Sequence, residues 1–451
     1  MAKIKTTFIC QNCGANSPKW IGKCPSCGEW NSYVEEIQTK VTADKYSTKG
    51  ETNSKPQSLS SIQQQQEERI VTKNNEFNRV IGGGIVLGSL SLIGGDPGIG
   101  KSTLLLQIAL SLNKNILYIS GEESLNQIKL RAERIQQQND KALFLSETNI
   151  ERILHHVDNS ETELVIIDSI QTVYTERVES SPGSVTQVRE STMMLLKYAK
   201  EHNIPMILIG HINKDGNIAG PKVLEHIVDT VLQFEGDKSY MYRILRSLKN
   251  RFGSTHELGI FEMQGSGLKE IENPSELLIS QQKDSYSGTA IAATIDGTRP
   301  FMIEIQALVS TAAYGTPQRS ATGYDTRRLN MLLAVLEKRI GFRLNMKDVF
   351  LNIAGGIRVE DPAIDLSIVC AILSSDQDLE IDAKTCFAGE VGLTGEIRAV
   401  NRIDQRIKEA EKLGFERIFI SEYNKEDKSL HSRIKIVRVK KVTEVFRNLF
   451  A

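Results

Sequence analysis

The chain has 451 residues, about three times the commonest size of a folded domain, so we expect two or three folded units. Charged residues make up 25% of the chain and hydrophobic residues 40%, which excludes a wholly disordered or fibrous protein. The formal net charge of −1 means that any nucleic-acid contact must be confined to a local surface.

The N-terminal stretch has lysines but no apolar core behind them, and no apolar run reaches the roughly 18 residues of a membrane-spanning helix. We therefore expect a cytoplasmic protein with no membrane contact. In that reducing compartment, four cysteines near the N-terminus favour metal binding over disulfides. The other two, Cys370 and Cys386, lie in apolar surroundings, and we expect them to be buried as small hydrophobic side chains.

The first motif along the chain is a pair of CxxC knuckles. Their four thiolates belong to Cys10, Cys13, Cys24 and Cys27, and together they would close a tetrahedral zinc site with no position left for water. A glycine follows each knuckle, as expected where the chain turns sharply. The spacing therefore predicts a structural zinc ion held within residues 1–34.

Residues 1–34 also contain both tryptophans of the chain. Trp20 and Trp30, together with Lys19 and Lys23, have the side chains needed to stack on and attract a nucleic acid. A module of this size lacks a hydrophobic core, however, and would use two tryptophans to cover its metal. The sequence favours this covering role and leaves the nucleic-acid contact open.

A polar stretch over 35–60 is expected to be a linker, and strand-like runs then alternate with amphipathic runs over 61–270. Six apolar runs predict strands, at 87–95, 115–120, 163–168, 205–210, 230–235 and 242–250. Because helical lengths separate them, the pattern predicts an α/β fold with a mostly parallel sheet.

The most specific motif follows the first of these strands and matches the P-loop pattern G-x4-G-K-[ST]. Its residues, with the threonine after them, are Gly95, Asp96, Pro97, Gly98, Ile99, Gly100, Lys101, Ser102 and Thr103. A strand leads in and a helical run leads out, so backbone amides at the start of the helix can wrap the phosphates of ATP. Lys101 is predicted to neutralise the β- and γ-phosphates, and Ser102 to bind Mg²⁺.

Polar side chains follow three other strands of this block. Asp168 ends the third strand and is predicted to bind Mg²⁺ directly or through water, with an exposed strand-end carboxylate as the alternative. Glu122 and Glu123 follow the second strand, where one can polarise the attacking water and the other can begin a helix. His211 follows the fourth strand and is either a γ-phosphate sensor or a surface histidine.

The sixth strand runs into the cationic sequence KNRFG. Lys249 and Arg251 can be presented there to a phosphate across a subunit boundary, although such a run is more often a solvated face. Two loops without apolar patterning, at 174–187 and 213–222, would face the axis of a ring or filament of such domains.

A second polar stretch, 271–288, precedes a last block over 289–451 in which strands and helices are mixed. Strands are predicted at 290–296, 301–310 and 349–356, and helices at 327–339, 364–375 and 402–414. The segment 433–441 carries at least five cations and is either a strand that tracks phosphates or a solvated edge strand.

Several of these motifs together resemble one known family. The four-cysteine segment, GGDPGIGKST, GEES, GHINKDG, KNRFG and a tail with AGGIRVEDPAIDLSIV and GEVGLTGEIRAV are similar to the RadA (Sms) family of bacterial DNA repair proteins. The resemblance spans essentially the whole chain. It implies an N-terminal zinc ribbon, a RecA-like ATPase core and an α+β Lon-protease-like C-terminal domain.

The same resemblance implies an activity and its partners. The expected assembly is a homo-hexameric ring on single-stranded and branched DNA that drives branch migration with the RecA recombinase, using ATP, Mg²⁺ and Zn²⁺. Glu122 aligns with the catalytic base better than Glu123 does, and His211 takes the γ-phosphate sensing position. Lys249 and Arg251 would reach the ATP of the neighbouring subunit.

The C-terminal block departs from the Lon pattern at the two positions that peptide hydrolysis needs. Ala363 stands where the nucleophilic serine would be, and Asp404 occupies the apparent lysine position. An ATP-dependent protease or chaperone-like assembly is therefore disfavoured, and casein degradation by the purified protein would revive it. A third alternative is a module whose ATP-bound state only clamps DNA. We expect the C-terminal domain to be an oligomerisation and DNA-facing platform.

Overall fold

The computed structural model describes residues 5–10, 14–38, 68–210, 222–236, 242–279, 286–312, 316–425 and 433–450. The predictions for Cys13, His211 and most of the loop over 213–222 lie outside these residues. The chain forms two compact units, one of Met1–Glu235 with Arg243–Glu270 and the other of Gly236–Tyr242 with Ile271–Ala451. The finer division predicted from the sequence, with linkers at 35–60 and 271–288, stays a prediction.

The N-terminal part of the first unit is a three-stranded antiparallel sheet. Its strands are β1 (Lys5–Cys10), β2 (Asn16–Ser17) and β3 (Tyr33–Gln38), in the order β2-β1-β3. Its small core consists of Cys10, Cys24 and Tyr33, with Phe8 and Ala15 packed against them. A core of this size contributes little stability, as expected of a small module that is stabilised by a metal.

A short hairpin and a helix lead into the main sheet: β4 (Arg69–Ile70), α1 (Asn75–Val80) and β5 (Ile85–Val86). The nine strands of that sheet are β6 (Leu90–Gly95), β7 (Ile116–Ser120), β8 (Ala142–Ser146), β9 (Leu164–Asp168), β10 (Met206–Ile209), β11 (Thr230–Glu235), β12 (Tyr242–Asn250), β13 (Leu258–Gln264) and β14 (Gly267–Glu270). The helices of this block are α2 (Lys101–Ser111), α3 (Leu125–Ile135), α4 (Ile150–Asp158), α5 (Val185–His202) and α6 (Lys222–Ile227).

The strand order is β14-β13-β12-β11-β6-β10-β9-β7-β8, and the six strands from β11 to β8 are parallel. Strand β12 pairs antiparallel with β11, and β14 with β13. Successive residues of β6 enter different cores, since Leu92 packs in one hydrophobic cluster and Ile93 in the other. Both faces are therefore covered by helices, as in doubly wound α/β folds. All six predicted strands are confirmed.

The second unit has a seven-stranded mixed sheet in the order β17-β18-β16-β15-β19-β22-β23 and a separate hairpin of β20 and β21. Its elements in chain order are α7 (Pro274–Leu278), β15 (Thr289–Asp296), β16 (Arg299–Thr311), β17 (Arg319–Thr322), α8 (Thr326–Val335), β18 (Lys347–Ile353), α9 (Asp365–Gln377), β19 (Thr385–Ala388), β20 (Glu390–Val391), β21 (Ile397–Arg398), α10 (Ile403–Lys412), β22 (Arg417–Ser421), β23 (Lys435–Val439) and α11 (Val442–Phe450).

The three predicted strands and three predicted helices of this unit are confirmed, and the basic segment over 433–441 contains the edge strand β23. Cys370 and Cys386 are fully buried, and burial raises the pKa of both thiols, so they are inert core side chains as predicted. Across the described residues, no helix combines the length and apolar character that crossing a membrane requires.

Candidate nucleotide and metal sites

Three of the predicted site residues lie at or just after the ends of strands that meet at the same edge of the nine-stranded sheet. Gly95 ends β6, Asp168 ends β9 and Ser120 ends β7, two residues before Glu122. Because these strands are parallel, their carboxyl ends lie side by side. In the sequence, His211 directly follows β10. Strand β10 lies between β6 and β9, and the Gly210 amide at its end donates a hydrogen bond to a carbonyl of β6.

The glycines of the P-loop are required by close packing and by backbone conformation. A Cβ added at Gly95 would lie 2.5 Å from the carbonyl oxygen of Phe234. Gly98 and Gly100 have φ angles of 78° and 116°, in the region that favours glycine. Apart from Gly98 and its two chain neighbours, no heavy atom of the described residues lies within 4 Å of a Cβ built at Gly98, so the loop leaves open space there. This open cradle at the start of α2 fits the phosphates of a nucleotide.

Lys101 lies buried in the first turn of α2. Its ammonium donates hydrogen bonds to the carbonyl oxygens of Gly95 at 2.6 Å and Asp96 at 2.9 Å. Burial lowers the pKa of Lys101 to about 8, while the charges of Asp168, Asp96 and Glu122 act in the opposite direction. The ammonium is therefore held over the loop that would receive the phosphates.

Tyr118 and Ser169, which the sequence reasoning missed, fix the two carboxylates of this edge. The Tyr118 hydroxyl donates a hydrogen bond to Asp168 Oδ2 at 2.9 Å, and burial raises its pKa, so it stays a donor at neutral pH. Ser169, fully buried, donates a hydrogen bond to Glu122 Oε1 at 2.5 Å. Tyr118 lies within one predicted strand and Ser169 directly follows another, and neither position carries a sequence pattern that indicates these contacts.

The structure separates the two glutamates that the sequence left as alternatives. The Glu123 carboxylate forms an ion pair with Arg131, and its amide donates a hydrogen bond to Ser120 Oγ at 2.9 Å. Glu122 instead contacts Ser169 and lies close enough to Lys101 to affect its pKa. The arrangement therefore favours Glu122 for chemistry and Glu123 for fixing the start of α3.

The KNRFG residues lie at the opposite end of the strands from the P-loop. Lys249 pairs with Val231 of β11, which pairs with Leu92 of β6, three residues before Gly95. At about 3.3 Å per residue, the Lys249 backbone therefore lies about 10 Å from Gly95 along the strand direction, and Arg251 lies further away. Neither side chain is brought to the phosphate cradle of its own chain.

Both cations have partners within their own chain. The Lys249 ammonium donates hydrogen bonds to the carbonyl oxygens of Glu225 and Val228, each at 2.7 Å, and so caps the end of α6. Arg251 is half-exposed and forms an ion pair at 3.2 Å with Asp229, a buried carboxylate. These contacts add a structural role to the predicted contact with a neighbouring subunit.

Arg243, at the other end of β12, reaches the P-loop. Its Nε donates a hydrogen bond to the Ile99 carbonyl oxygen at 3.2 Å, and the residue is buried. In the sequence Arg243 is one of four cations over 243–251, and nothing in that run indicates a contact with the P-loop. Its side chain lies on the strand face that packs under the loop, whereas Lys249 belongs to the far end of the same strand.

Three of the four predicted zinc ligands come together in the N-terminal sheet. The sulfurs of Cys10, Cys24 and Cys27 all lie within 4.8 Å of one another, and Cys10 and Cys27 are 3.7 Å apart. Tetrahedral zinc with Zn–S bonds of about 2.3 Å would separate its sulfurs by about 3.8 Å. The amides of Gly14 and Gly28 donate hydrogen bonds to the carbonyls of the first cysteine in each knuckle, so the two turns match. These residues fit zinc.

The favoured role of the tryptophans, covering the metal, is wrong. The buried aromatic side chain that packs against the cysteines is Tyr33, whose hydroxyl lies 3.5 Å from the Cys24 sulfur. Trp20 and Trp30 are 52% and 66% exposed.

In the second unit, the turn that holds Ala363 is fixed by one carboxylate. Asp361 accepts hydrogen bonds from the Ala363 amide at 3.0 Å, the Thr294 hydroxyl at 3.0 Å and the Ile295 amide at 2.9 Å. Arg406 donates to the same carboxylate at 2.6 Å. Ala363 itself is fully buried and has no nucleophilic atom.

Arg406 of α10 contacts this turn through Asp361. Arg406 is buried and also donates to the Ala293 carbonyl oxygen at 2.7 Å, whereas Asp404 is partly exposed. The prediction that Asp404 occupies the lysine position of the Lon pattern stays a prediction. The pairing of Arg406 with Asp361 is a structural ion pair.

Three segments match known protein families. Residues 8–35 match the rubredoxin metal binding domain, residues 56–217 an AAA domain, and residues 306–424 the subunit ChlI of Mg-chelatase.

Similar proteins cover the full chain. DNA repair protein RadA of Bacillus subtilis (strain 168) is 51% identical over 453 residues, covering 99% of each chain. DNA repair protein RadA of Listeria monocytogenes serovar 1/2a (strain ATCC BAA-679 / EGD-e) is 49% identical over 453 residues, also covering 99% of each chain. Among solved structures, that of the RadB recombinase is 21% identical, with a TM-score of 0.37, and covers 44% of this chain and 98% of its own.

The parallel sheet, with a P-loop after β6 and acidic side chains at the ends of neighbouring strands, defines a P-loop ATPase core, which matches an AAA domain. A zinc ribbon precedes this core and a ChlI/Lon-like domain follows it. The chain belongs to the family of the DNA repair protein RadA.

Proposed function

We propose that this protein is a DNA-dependent ATPase motor of homologous recombination that binds single-stranded and branched DNA. In the proposal it promotes branch migration together with the RecA recombinase. Membership of the RadA family supports a role in DNA repair. The observation that carries the motor assignment is the convergence of Lys101, Asp168 and Glu122 at one edge of the parallel sheet.

Each residue at that edge has a proposed part in ATP hydrolysis. Lys101 neutralises the β- and γ-phosphates, while Ser102 and Asp168 hold Mg²⁺, which supplies further neutralisation of phosphate charge when bound. Glu122 accepts the proton of the attacking water, and Ser169 orients its carboxylate. His211 is proposed as the γ-phosphate sensor on the basis of its position after β10.

The placement of KNRFG supports action between subunits of a homo-hexamer. Lys249 and Arg251 lie at the opposite end of the strands from their own P-loop. Any contact they make with ATP must therefore be with the ATP of a neighbouring subunit. Mixing Arg251→Ala with Lys101→Ala subunits tests this, because a mixed interface joins an intact P-loop to an intact Arg251. Recovery of ATP hydrolysis on mixing supports action in trans, and no recovery contradicts it.

The C-terminal domain is proposed to be a platform for oligomerisation and DNA contact. Peptide hydrolysis is not supported, since Ala363 cannot act as a nucleophile and Arg406 is bound to Asp361. Casein degradation by the purified protein would revive the protease alternative.

ATP hydrolysis stimulated by single-stranded DNA tests the proposed function. The wild type should hydrolyse ATP faster when single-stranded DNA is added, and Lys101→Ala and Glu122→Gln should lose this turnover. Glu122→Gln should still bind ATP and DNA, because it keeps the P-loop intact. If both variants keep full stimulation of strand exchange, the protein only clamps DNA and the motor assignment is wrong.

A further inference from the structure

We propose that Trp20 and Trp30 of the zinc ribbon form an aromatic platform on which unpaired bases of single-stranded DNA stack. This inference rests on the proposed function, since it assumes that the chain works on single-stranded DNA. It adds a contact that neither the P-loop nor the KNRFG sequence provides.

The two rings are available to a partner. Trp20 is 52% exposed and Trp30 66% exposed, although a tryptophan side chain gains stability from burial. Cys10 and Cys24 pack with Tyr33, which is only 4% exposed, so the core of the ribbon forms without the tryptophans. Exposed aromatic faces on a small rigid module are typical of binding surfaces.

The Trp20 ring and the backbone around Trp30 are held in place before any partner binds. The indole N–H of Trp20 donates a hydrogen bond to the Tyr33 carbonyl oxygen at 3.2 Å. Trp30 pairs with Lys23 in an antiparallel bridge, and the Asn31 amide donates to the Gly22 carbonyl oxygen at 2.7 Å. A surface that is already ordered loses little conformational entropy when it binds.

The two tryptophans belong to one surface. Carbon atoms of both rings lie 3.8–3.9 Å from a Cβ built at Gly22, so the rings flank this glycine. Two neighbouring aromatic rings offer room for successive bases of one strand.

The charge around the aromatic platform favours a phosphate-bearing partner. The Lys23 ammonium lies 5.5 Å from the centroid of the Trp30 ring, and exposed Lys19 precedes Trp20. Glu29 is the one acidic residue between positions 16 and 34. Lysines beside aromatic faces are the combination that binds single strands without sequence preference, through phosphates and stacked bases together. A duplex fits less well because its bases are already stacked and paired.

Tryptophan fluorescence tests the inference directly, because the chain has no tryptophans besides these two. Zinc-loaded full-length protein is titrated with oligothymidylate of about 16 nucleotides, a length within the range of known single-strand sites. We expect the fluorescence to be quenched as bases stack on the rings. An abasic strand of equal length, which has the phosphates alone, and a duplex should quench far less.

Three variants separate stacking from general apolar contact, with zinc content measured for each to confirm that the ribbon is folded. Trp30→Phe keeps an aromatic face and should retain most of the affinity for oligothymidylate, whereas Trp30→Leu should lose about fivefold or more. Leu130→Ala is the matched control, because Leu130 is 63% exposed on α3 and its removal should change nothing.

Several results would overturn the inference. These are the absence of quenching by oligothymidylate, equal quenching by the abasic strand, and equal affinities of the Phe and Leu variants. Quenching that occurs only when recombinase protein is added would assign the aromatic platform to a protein partner. If any of these occurs while single-stranded DNA still stimulates ATP hydrolysis, the platform is wrong and the proposed function stands. Loss of that stimulation in the wild type would contradict the proposed function itself.

Discussion

The depressed pKa of Lys101 predicts that nucleotide binding weakens as the pH rises from 7 to 9. In the free protein, burial lowers this pKa to about 8, so Lys101 loses its charge across this range. Bound phosphates favour the ammonium form and raise the pKa, so binding above pH 8 requires uptake of a proton. The phosphates of ATP, with a second pKa near 6, do not titrate in this range.

The size of the effect follows from the pKa. If only the charged lysine binds, the dissociation constant rises with pH by a factor of 1 + 10^(pH − 8). This factor is about 1.1 at pH 7 and about 11 at pH 9, so affinity should fall about tenfold, or about 1.4 kcal/mol.

Calorimetric titration with ATP at both pH values measures this change. Repeating the titration at pH 9 in buffers of different ionisation enthalpy should show uptake of nearly one proton per nucleotide bound. Lys101→Arg is the matched control, because a guanidinium stays charged and its affinity should not vary over this range. Equal affinity of the wild type at pH 7 and pH 9, or an equal fall in the arginine variant, would refute the reasoning.

Three further predictions follow from the sites. Glu122→Gln should reduce ATP turnover by about 100-fold or more without loss of ATP binding. Glu123→Gln should keep turnover and cost at most about 1 kcal/mol of stability. Equal losses of turnover in the two variants would contradict the assignment of Glu122 as the base. Cys24→Ser should release one equivalent of zinc, measured by metal analysis, while ATP still binds; stoichiometric zinc in this variant would disprove the four-thiolate site. Arg406→Met should destabilise the C-terminal unit by about 3–5 kcal/mol, measured by hydrogen exchange. Adding Asp361→Asn to this variant should restore part of the lost stability. A neutral Arg406→Met would contradict a structural ion pair.

The strands of the ATPase core could be predicted because buried parallel strands leave long apolar runs, as in the segments that became β6 and β9. Strand β8 was missed although Ala142–Leu145 form an apolar run; it lies at the edge of the sheet, where Leu143 is exposed. The P-loop was visible because its chemistry depends on backbone amides and small residues at fixed spacing.

The supporting contacts of the site could not be predicted because they join distant parts of the chain. Ser169 and Glu122 are 47 residues apart, and Arg243 and Ile99 are 144 apart. The spacing singled out Asp404 and gave no sign that Arg406, two residues further along α10, would contact Asp361. Which of two nearby polar residues faces a site depends on helix phase and packing, which a motif alone does not define.

Branch migration of a three-stranded DNA intermediate tests the central claim most directly. The assay measures strand displacement with ATP, with and without the recombinase, by the wild type, Lys101→Ala and Glu122→Gln. We predict that the wild type extends the heteroduplex, that the recombinase increases this activity, and that both variants fail even where Glu122→Gln still binds DNA. Extension by either variant at the wild-type rate would contradict an ATP-driven motor.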